Sequence, residues 1–313
     1  MNDIIVLDSK NHPTENISEE LISKWIRYLD CSTKTIQTYT RNIRPFTKFL
    51  AENGINRPLR EHIISYRDEL LTIHKPTTVQ AYLMAVKQFF RWLDQENIYP
   101  NIAKNIKGVR LDNLSFKKDY LTTSQVKTML NSIDRTTLKG KRDYAILLLM
   151  VTTGLRTIEV ARADLEDLRT VGNFTALFIQ GKGKTDRTEF VKVVPAVEQA
   201  LREYLACRGM NNARDTDPLF SSIANRNDGE RMTTRSISRI CKEHMIDANL
   251  ISSRLTAHSL RHTSATLNLL NGGSLEETRQ LLRHSNISTT MIYAHSLERA
   301  KNDSENRIAQ AIL

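Results

Sequence analysis

Apolar residues recur every three or four positions through most of the first hundred residues, and this pattern constrains the fold more than any other. One stripe consists of Ile36, Tyr39, Ile43, Phe46 and Leu50, and a second of Val79, Leu83, Val86, Phe89, Phe90 and Leu93. Such spacing is typical of amphipathic helices. It predicts helices over residues 19–29, 33–53, 61–73 and 77–95, separated by Gly54, Pro58 and the KPTT turn at 75–78. We therefore expect a compact bundle of about four helices over residues 16–105.

The periodicity stops at residues 106–119, IKGVRLDNLSFKKD. This segment contains one glycine and four cationic residues: Gly108, Lys107, Arg110, Lys117 and Lys118. Its composition favours an extended basic linker between two domains. Just after it, Thr122 and Gln125 have the spacing of a capping box, which predicts the start of a helix.

A second domain is expected over residues 120–313. From residue 142 the pattern is helix, turn, helix, and residues 175–180 and 187–194 are predicted strands joined by the hairpin turn GKGKTD. Further helices are predicted at 195–206, 233–248, 258–271, 274–283 and 287–302. The predicted fold class is mainly α with a small β-sheet.

The charge balance favours a polyanionic partner. The chain of 313 residues carries a formal net charge of +10 with a pI near 9.5, which suits nucleic acid or an anionic membrane surface. No secretory signal is seen at the N-terminus, and the longest apolar run, 144–151, is far short of the roughly 20 residues that span a bilayer. Three separated cysteines, Cys31, Cys207 and Cys241, argue against a disulfide framework or a zinc site. We expect a cytoplasmic protein that binds DNA or RNA and no membrane.

Two predicted helices of the bundle have polar faces suited to phosphate contact. Short hydroxyl side chains near the start of each helix are followed by cations a turn or two later. The predicted DNA contacts are Lys34, Thr35, Thr38, Arg41 and Arg44 on one helix, and Thr77, Thr78, Gln80, Lys87 and Arg91 on the other. The alternative is an ordinary solvated helix face.

The stretch TTGLRTIEV places an arginine directly after a glycine turn. Gly154 permits a tight turn between helices, and Arg156 stands at the start of the next helix with Glu159 one turn on. A guanidinium held in this way can offer two parallel donors to a phosphate. The alternative is a surface Arg–Glu pair.

The hairpin GKGKTDR offers Lys182 and Lys184 on a glycine-bearing tip that can approach a ligand closely. The alternative is a soluble turn. A nucleotide-binding P-loop is rejected, because the stretch lacks the required GKS or GKT ending and opens no helix.

Two further stretches supply histidines and a tyrosine. In TAHSLRHTSATLNLL, His258 and Arg261 are three apart and share a helix face, whereas His262 is expected to point elsewhere with a structural role. In LLRHSNISTTMIYAH, His284 precedes Tyr293 by nine positions. Tyrosine alone, with a pKa of about 10, is a poor nucleophile and is more often a packed aromatic.

Taken together, these residues suit a phosphodiester attacked by a phenolic oxygen. Guanidinium forks and an imidazole N–H can hold the oxygens of a crowded phosphorus centre, and each preorganised donor is worth about 3 kcal/mol of barrier. A base must accept the phenol proton, and an acid must protonate the leaving alkoxide. No cluster of carboxylates suited to Mg²⁺ is present in the sequence, so no metal or cofactor is expected.

The order and spacing of six residues resemble the tyrosine recombinases of the phage integrase family, close to the Xer type. They are Arg156 in TGLRTIEV, Lys182 in GKGKTDR, His258 and Arg261 in HSLRHT, His284 in LRHS, and Tyr293 in STTMIY. The resemblance covers roughly residues 16–302. It implies a SAM-like core-binding bundle followed by a mixed α/β catalytic domain, two domains that clamp DNA.

The resemblance also implies roles. Tyr293 would be the nucleophile that forms a 3′-phosphotyrosine, and Lys182 the general acid. Arg156, Arg261 and His284 would stabilise the transition state, with His258 as base or hydrogen-bond partner and Glu159 supporting Arg156. Further DNA contacts are expected from Lys184, Arg235, Arg239 and Lys242.

For the assembly, the resemblance implies double-stranded DNA with inverted-repeat core sites and a homo-tetramer that exchanges strands through a Holliday junction. The protein free of DNA would be a monomer or a weak oligomer. Residues 297–313 would form a tail helix that docks on a neighbouring protomer. Neither ATP nor a metal is implied.

Two departures from the family pattern stand out. Arg283 replaces the glycine usual before His284, and the sequence gives it no role. The extra arm-binding domain of larger integrases is not seen, which favours a simple core-site recombinase. A silent DNA-binding protein and a type IB topoisomerase are the alternatives. Chromosome-dimer resolution or mobile-element integration, the DNA site with its spacer, and the need for a second recombinase or accessory proteins stay open.

Overall fold

The computed structural model describes residues 17–110, 119–181, 183, 186–209 and 213–313. The chain divides into two compact units, Met1–Asn113 and Leu114–Leu313. Of the segment predicted as a linker, residues 111–118 lie outside the described part of the chain.

The first unit contains the four predicted helices, α1 (Glu19–Tyr28), α2 (Thr33–Glu52), α3 (Arg60–Ile73) and α4 (Pro76–Gln95). Ser18 and Ser32 cap α1 and α2, because each hydroxyl accepts a backbone N–H of the first turn. The predicted apolar stripes form the core, in which Trp25 packs edge-on against Phe89 with ring centroids 5.4 Å apart. Burial of such aromatic faces is the main stabilising contribution to a small bundle.

The chain that follows α4 packs back on the bundle. Lys87 Nζ donates to the carbonyl of Ile106 at 2.6 Å, and the N–H of Val109 donates to Gln80 Oε1 at 2.9 Å. The first residues of the 106–119 segment therefore differ from the expected extended linker, since α4 supplies partners for their backbone.

The second unit is built mainly of helices. They are α5 (Thr123–Asn131), α6 (Leu138–Thr153), α7 (Thr157–Arg162), α8 (Pro195–Arg208), α9 (Thr234–Asp247), α10 (Ala257–Leu270), α11 (Leu275–Leu282), α12 (Ser288–Lys301) and α13 (Ser304–Ile312). The predicted capping box at α5 is confirmed, because Thr122 and Gln125 exchange hydrogen bonds with each other's backbone N–H. In the part of the chain that is described, no helix has both the length and the apolar content to cross a bilayer.

A three-stranded antiparallel sheet lies between α7 and α8. Its strands are β1 (Leu168–Val171), β2 (Phe174–Ile179) and β3 (Glu189–Val193), in the order β1-β2-β3. The fold class, mainly α with a small sheet, is confirmed. Two strands were predicted, and β1 was missed because this edge strand has only four residues, two of them exposed and polar.

The end of the chain differs from the expected single tail helix over 297–313. Helix α12 continues through Lys301, and a separate α13 begins at Ser304. Ile308, Ile312 and Leu313 are exposed on or after α13, which buries no residue of its own.

Candidate active site

Arg156 is held at the turn between α6 and α7. Gly154 ends α6 with a φ of +63°, and Arg156 follows as the N-cap of α7. Glu159 accepts the Arg156 Nη1 at 2.9 Å through one oxygen and the Arg156 backbone N–H at 2.8 Å through the other. Burial alone would raise the pKa of Glu159, but the guanidiniums of Arg283 and Arg156 lower it overall. The carboxylate is therefore charged and fixes the orientation of Arg156.

Arg261 on α10 is almost completely buried and joins two distant segments. Its Nη1 donates to the carbonyl of Gly154 at 2.5 Å, and its Nη2 donates to the carbonyl of Leu282 at the end of α11. Burial, together with the positive charges of Arg156 and Arg283, lowers the pKa of Arg261 to about 9. The guanidinium is still protonated near pH 7, and a bound anion would stabilise it.

His284 lies in the segment that joins α11 to α12, and Tyr293 lies on α12. His284 Nδ1 is 2.9 Å from the hydroxyl of the buried Thr290, and burial followed by the charge of Arg261 lowers its pKa to about 4. Tyr293, on α12, is buried, and burial raises its pKa to about 12 although Arg261 and Arg156 oppose this shift. At neutral pH the imidazole is uncharged and the phenol is protonated.

His262 is the site residue that sequence reasoning placed wrongly. Its ring lies 4.6 Å from the His258 ring and 5.3 Å from the Tyr293 ring, measured between centroids. It therefore faces the tyrosine and does not point elsewhere. The four-residue spacing from the exposed His258 to His262 on one helix was the available signal, since such residues share a face.

Arg283, which the sequence left unexplained, is buried beside Glu159. Its Nη2 donates to Glu159 Oε2 at 3.0 Å, and its side chain is 7% exposed.

A cleft of about 550 Å³ opens beside these groups. It is lined by Arg156, Gly181, Glu189, Arg279, Gln280, Arg283, His284 and Ser285. The predicted Lys182 and Lys184 lie outside the described residues. Of the described residues that flank them, Gly181 accepts a hydrogen bond from Arg162 at 3.4 Å, and Arg187 donates to Asp167 at 2.8 Å.

The structure describes every predicted DNA contact except Lys184. Nine are exposed: Lys34, Thr35, Thr38, Arg41, Arg44, Thr77, Arg91, Arg235 and Arg239. Thr78 is half-buried. Gln80 and Lys87 hold the segment after α4, and Lys242 Nζ donates to the carbonyl of Ser252 at 2.6 Å. These three side chains have internal partners, and their contact with DNA stays a prediction.

Among the residues that the structure describes, no group of three or more His, Cys, Asp or Glu side chains could hold a metal ion.

The two units match two family profiles. Residues 119–299 match the Phage integrase family, and residues 22–97 match the N-terminal SAM-like domain of phage integrases.

Curated relatives and a solved structure agree with this match. The chain is 28% identical to a tyrosine recombinase of Pseudothermotoga lettingae over 89% of this chain and 93% of the relative. It is 36% identical to the tyrosine recombinase XerC of Caldanaerobacter subterraneus subsp. tengcongensis over 56% of this chain and 47% of that relative. The XerH site-specific recombinase bound to a palindromic difH substrate shares the fold, with a TM-score of 0.70 at 21% identity over 92% of this chain and 89% of the other.

Proposed function

The chain belongs to the phage integrase family, and on that premise we propose that it is a site-specific tyrosine recombinase. The observation that carries the proposal is the convergence of Arg156, Arg261, His284 and Tyr293. These residues come from four separate helix ends or faces, and both arginines act electrostatically on the tyrosine. An aromatic position with a purely packing role has no need of two buried or half-buried guanidiniums beside it.

In the proposed reaction, Tyr293 Oη attacks the scissile phosphorus of a DNA strand. The bond from phosphorus to the 5′ oxygen breaks, a 3′-phosphotyrosine forms, and the 5′ oxygen leaves as a hydroxyl. Lys182 supplies the proton to that oxygen. Attack by the 5′-hydroxyl of the second duplex reverses these steps and joins the strands, so no ATP is consumed.

The phenol proton needs an acceptor, because a tyrosine with a pKa of about 12 does not ionise by itself near neutral pH. His258 is the proposed base or hydrogen-bond partner. The His262 ring lies close to both the His258 and the Tyr293 rings, and burial followed by the charge of His258 lowers the pKa of His262 to about 4. A neutral imidazole in that place can relay a proton or accept a hydrogen bond.

The phosphate oxygens would be held by Arg156, Arg261 and His284. The hydrogen bonds of Arg261 to described residues use two of its five N–H groups, and they fix the plane of the guanidinium. If the Thr290 hydroxyl donates to His284 Nδ1, the imidazole proton sits on Nε2 and can be donated to phosphate.

We further propose that the enzyme acts in the cytoplasm on double-stranded DNA with inverted-repeat core sites, as a homo-tetramer that passes through a Holliday junction. The exposed Ile308, Ile312 and Leu313 support helix exchange between protomers, because such residues are usually buried by a partner. Chromosome-dimer resolution and mobile-element integration both fit this chemistry.

A nicked suicide duplex that carries the recognition site tests the proposal. The full-length protein is expected to form a covalent adduct that survives denaturation, and Tyr293→Phe is expected to form none. Tyr144→Phe is the matched control for the loss of a phenolic hydroxyl. It keeps the aromatic ring, which lies 4.6 Å from the Arg135 guanidinium. Absence of an adduct with the unchanged protein would favour the silent DNA-binding protein, and an adduct with Tyr293→Phe would overturn the assigned nucleophile.

A type IB topoisomerase would form the same adduct. Joining of strands between two different duplexes separates the recombinase from that alternative, because a topoisomerase rejoins the strand that it cut.

A further inference from the structure

Arg283 adopts a backbone conformation that is unfavourable for its residue type. It ends α11 with φ +54° and ψ +46°, in the left-handed region. The other described non-glycine residues with positive φ are all asparagines, namely Asn97, Asn105 and Asn249. Asparagine tolerates this region because its short side chain bonds locally, whereas arginine has no such compensation. The side chain of Arg283 must therefore supply the stabilising contacts.

Those contacts connect three segments. Nη2 donates to Glu159 on α7 at 3.0 Å, and Nη1 donates to the carbonyl of Leu281 on α11 at 2.7 Å. A longer contact of 3.4 Å reaches the carbonyl of Thr153 at the end of α6. Since His284 is the next residue, the guanidinium joins the segment that carries His284 to the segment that carries Arg156.

The charge of Arg283 matters as much as its position. Glu159 bonds Arg156 through both oxygens, and this buried carboxylate would by itself cancel the positive charge of Arg156. With Arg283 on the same carboxylate, the three side chains keep a net charge of +1. Adding the buried Arg261 gives +2, which matches a dianionic phosphorus centre.

Resting on the proposed recombinase function, we propose that Arg283 is a positioning residue. It shares Glu159 Oε2 with the backbone N–H of Arg156, keeps the Arg156 guanidinium electrostatically available for the scissile phosphate, and holds Arg156 and His284 at a fixed separation. Its own guanidinium acts through Glu159 and not on the DNA.

Direct phosphate contact by Arg283 is the competing hypothesis, because Arg283 lines the cleft and its buried Nε has no hydrogen-bond partner among the described residues. The two hypotheses differ in what Glu159 does. If Arg283 acts through Glu159, removing either side chain makes the other one less important.

The experiment compares Arg283→Gly, Arg283→Lys and Glu159→Gln, with the double variant Arg283→Gly/Glu159→Gln, in the full chain. Glycine suits the left-handed turn, so the first change removes the side chain without disturbing the end of α11. Asn249→Gly is the matched backbone control, at a left-handed position outside the described lining of the cleft. The rate of adduct formation at saturating suicide duplex and the DNA dissociation constant are both measured.

We expect Arg283→Gly to slow adduct formation roughly 10- to 100-fold while the dissociation constant changes by less than about threefold. Arg283→Lys should recover part of the rate, because it keeps the charge and loses the second donor. In the Glu159→Gln background, Arg283→Gly should slow the reaction by less than about threefold.

Two results would overturn the positioning role and favour direct phosphate contact. One is an equal loss in rate on Arg283→Gly with and without Glu159→Gln, and the other is a rise in the dissociation constant that accounts for the slower reaction. A failure of the unchanged protein to form any adduct would instead count against the proposed function, so the two failures are distinguishable.

Discussion

At the scale of single residues, Gly154 combines two requirements that no other residue type meets. Its φ is +63°, and a Cβ placed there would lie 2.7 Å from Leu282 Cδ2. The carbonyl of Gly154 also orients Arg261. We expect Gly154→Ala to lower the free energy of unfolding by about 2–4 kcal/mol, the sum of left-handed strain and overpacking, and to slow adduct formation.

Gly172→Ala is the control for the backbone part of that effect. Its φ is +59°, and nothing lies within 4 Å of the added Cβ. A loss of only about 1 kcal/mol is expected there. Urea unfolding of both variants measures the difference, and equal losses would show that contact with Leu282 is unimportant.

Thr290 is expected to set which nitrogen of His284 carries the proton. Thr290→Val removes the hydroxyl 2.9 Å from His284 Nδ1 and keeps the shape of the side chain. Adduct formation should slow about tenfold with little change in DNA affinity, because a mis-oriented donor mainly affects the transition state.

Thr289→Val is the matched control on the same helix, since Thr289 is exposed. A single-turnover assay of both variants decides the question, and equal rates for the two would contradict a role for Thr290.

At the scale of secondary-structure elements, α13 presents apolar side chains that its own unit leaves uncovered. Changing both Ile308 and Ile312 to Ser is expected to leave binding to a single half-site intact and to abolish assembly of the proposed homo-tetramer. Native gel mobility with one-site and two-site DNA distinguishes these steps. Ile251→Ser, at a residue that is 75% exposed, is the control for loss of a surface isoleucine; unimpaired assembly of the double variant would exclude helix exchange.

Local patterns predicted the elements well, whereas contacts between elements could not be predicted. The capping box at Thr122 and the pairing of Arg156 with Glu159 span three residues each, so helix geometry alone fixes them. The contact of Arg283 with Glu159 joins residues 124 positions apart. It depends on how α7 and α11 pack, which no periodicity encodes. The His262–Tyr293 contact also joins two helices, although the four-residue spacing from His258 to His262 was a local signal that could have placed His262 in the site.

At the scale of the whole molecule, the half-buried His262 and the buried His284, both neutral near pH 7, make stability depend on pH. His262 and His284 have pKa values of about 4 in the folded protein, against 6.5 for an ordinary histidine. Between these values the unfolded chain binds more protons, so the free energy of unfolding falls as the pH drops from about 6.5 to about 4. Each histidine contributes at most about 3 kcal/mol to that loss.

The two tryptophans provide an internal comparison for this prediction. Trp25 and Trp92 both lie in the first unit, whereas His262 and His284 lie in the second. Urea unfolding is followed at pH 7 and at pH 5 by circular dichroism and by tryptophan fluorescence. The midpoint seen by circular dichroism should be lower at pH 5, and the midpoint seen by fluorescence should shift less. A midpoint independent of pH in both signals would contradict the lowered pKa values of His262 and His284.

The two hydrogen bonds that Arg261 donates have a consequence for the synthesis of the protein. The carbonyls that it holds belong to Gly154 and Leu282, and Tyr293 lies 137 positions after Arg156. At roughly 5–20 residues per second, about 7–27 s pass on the ribosome between the synthesis of Arg156 and that of Tyr293. During that interval a nascent chain can already display the exposed cations of its helical bundle, yet it lacks Tyr293, the proposed nucleophile. The proposed DNA cleavage therefore cannot begin before the last part of the chain has been synthesised.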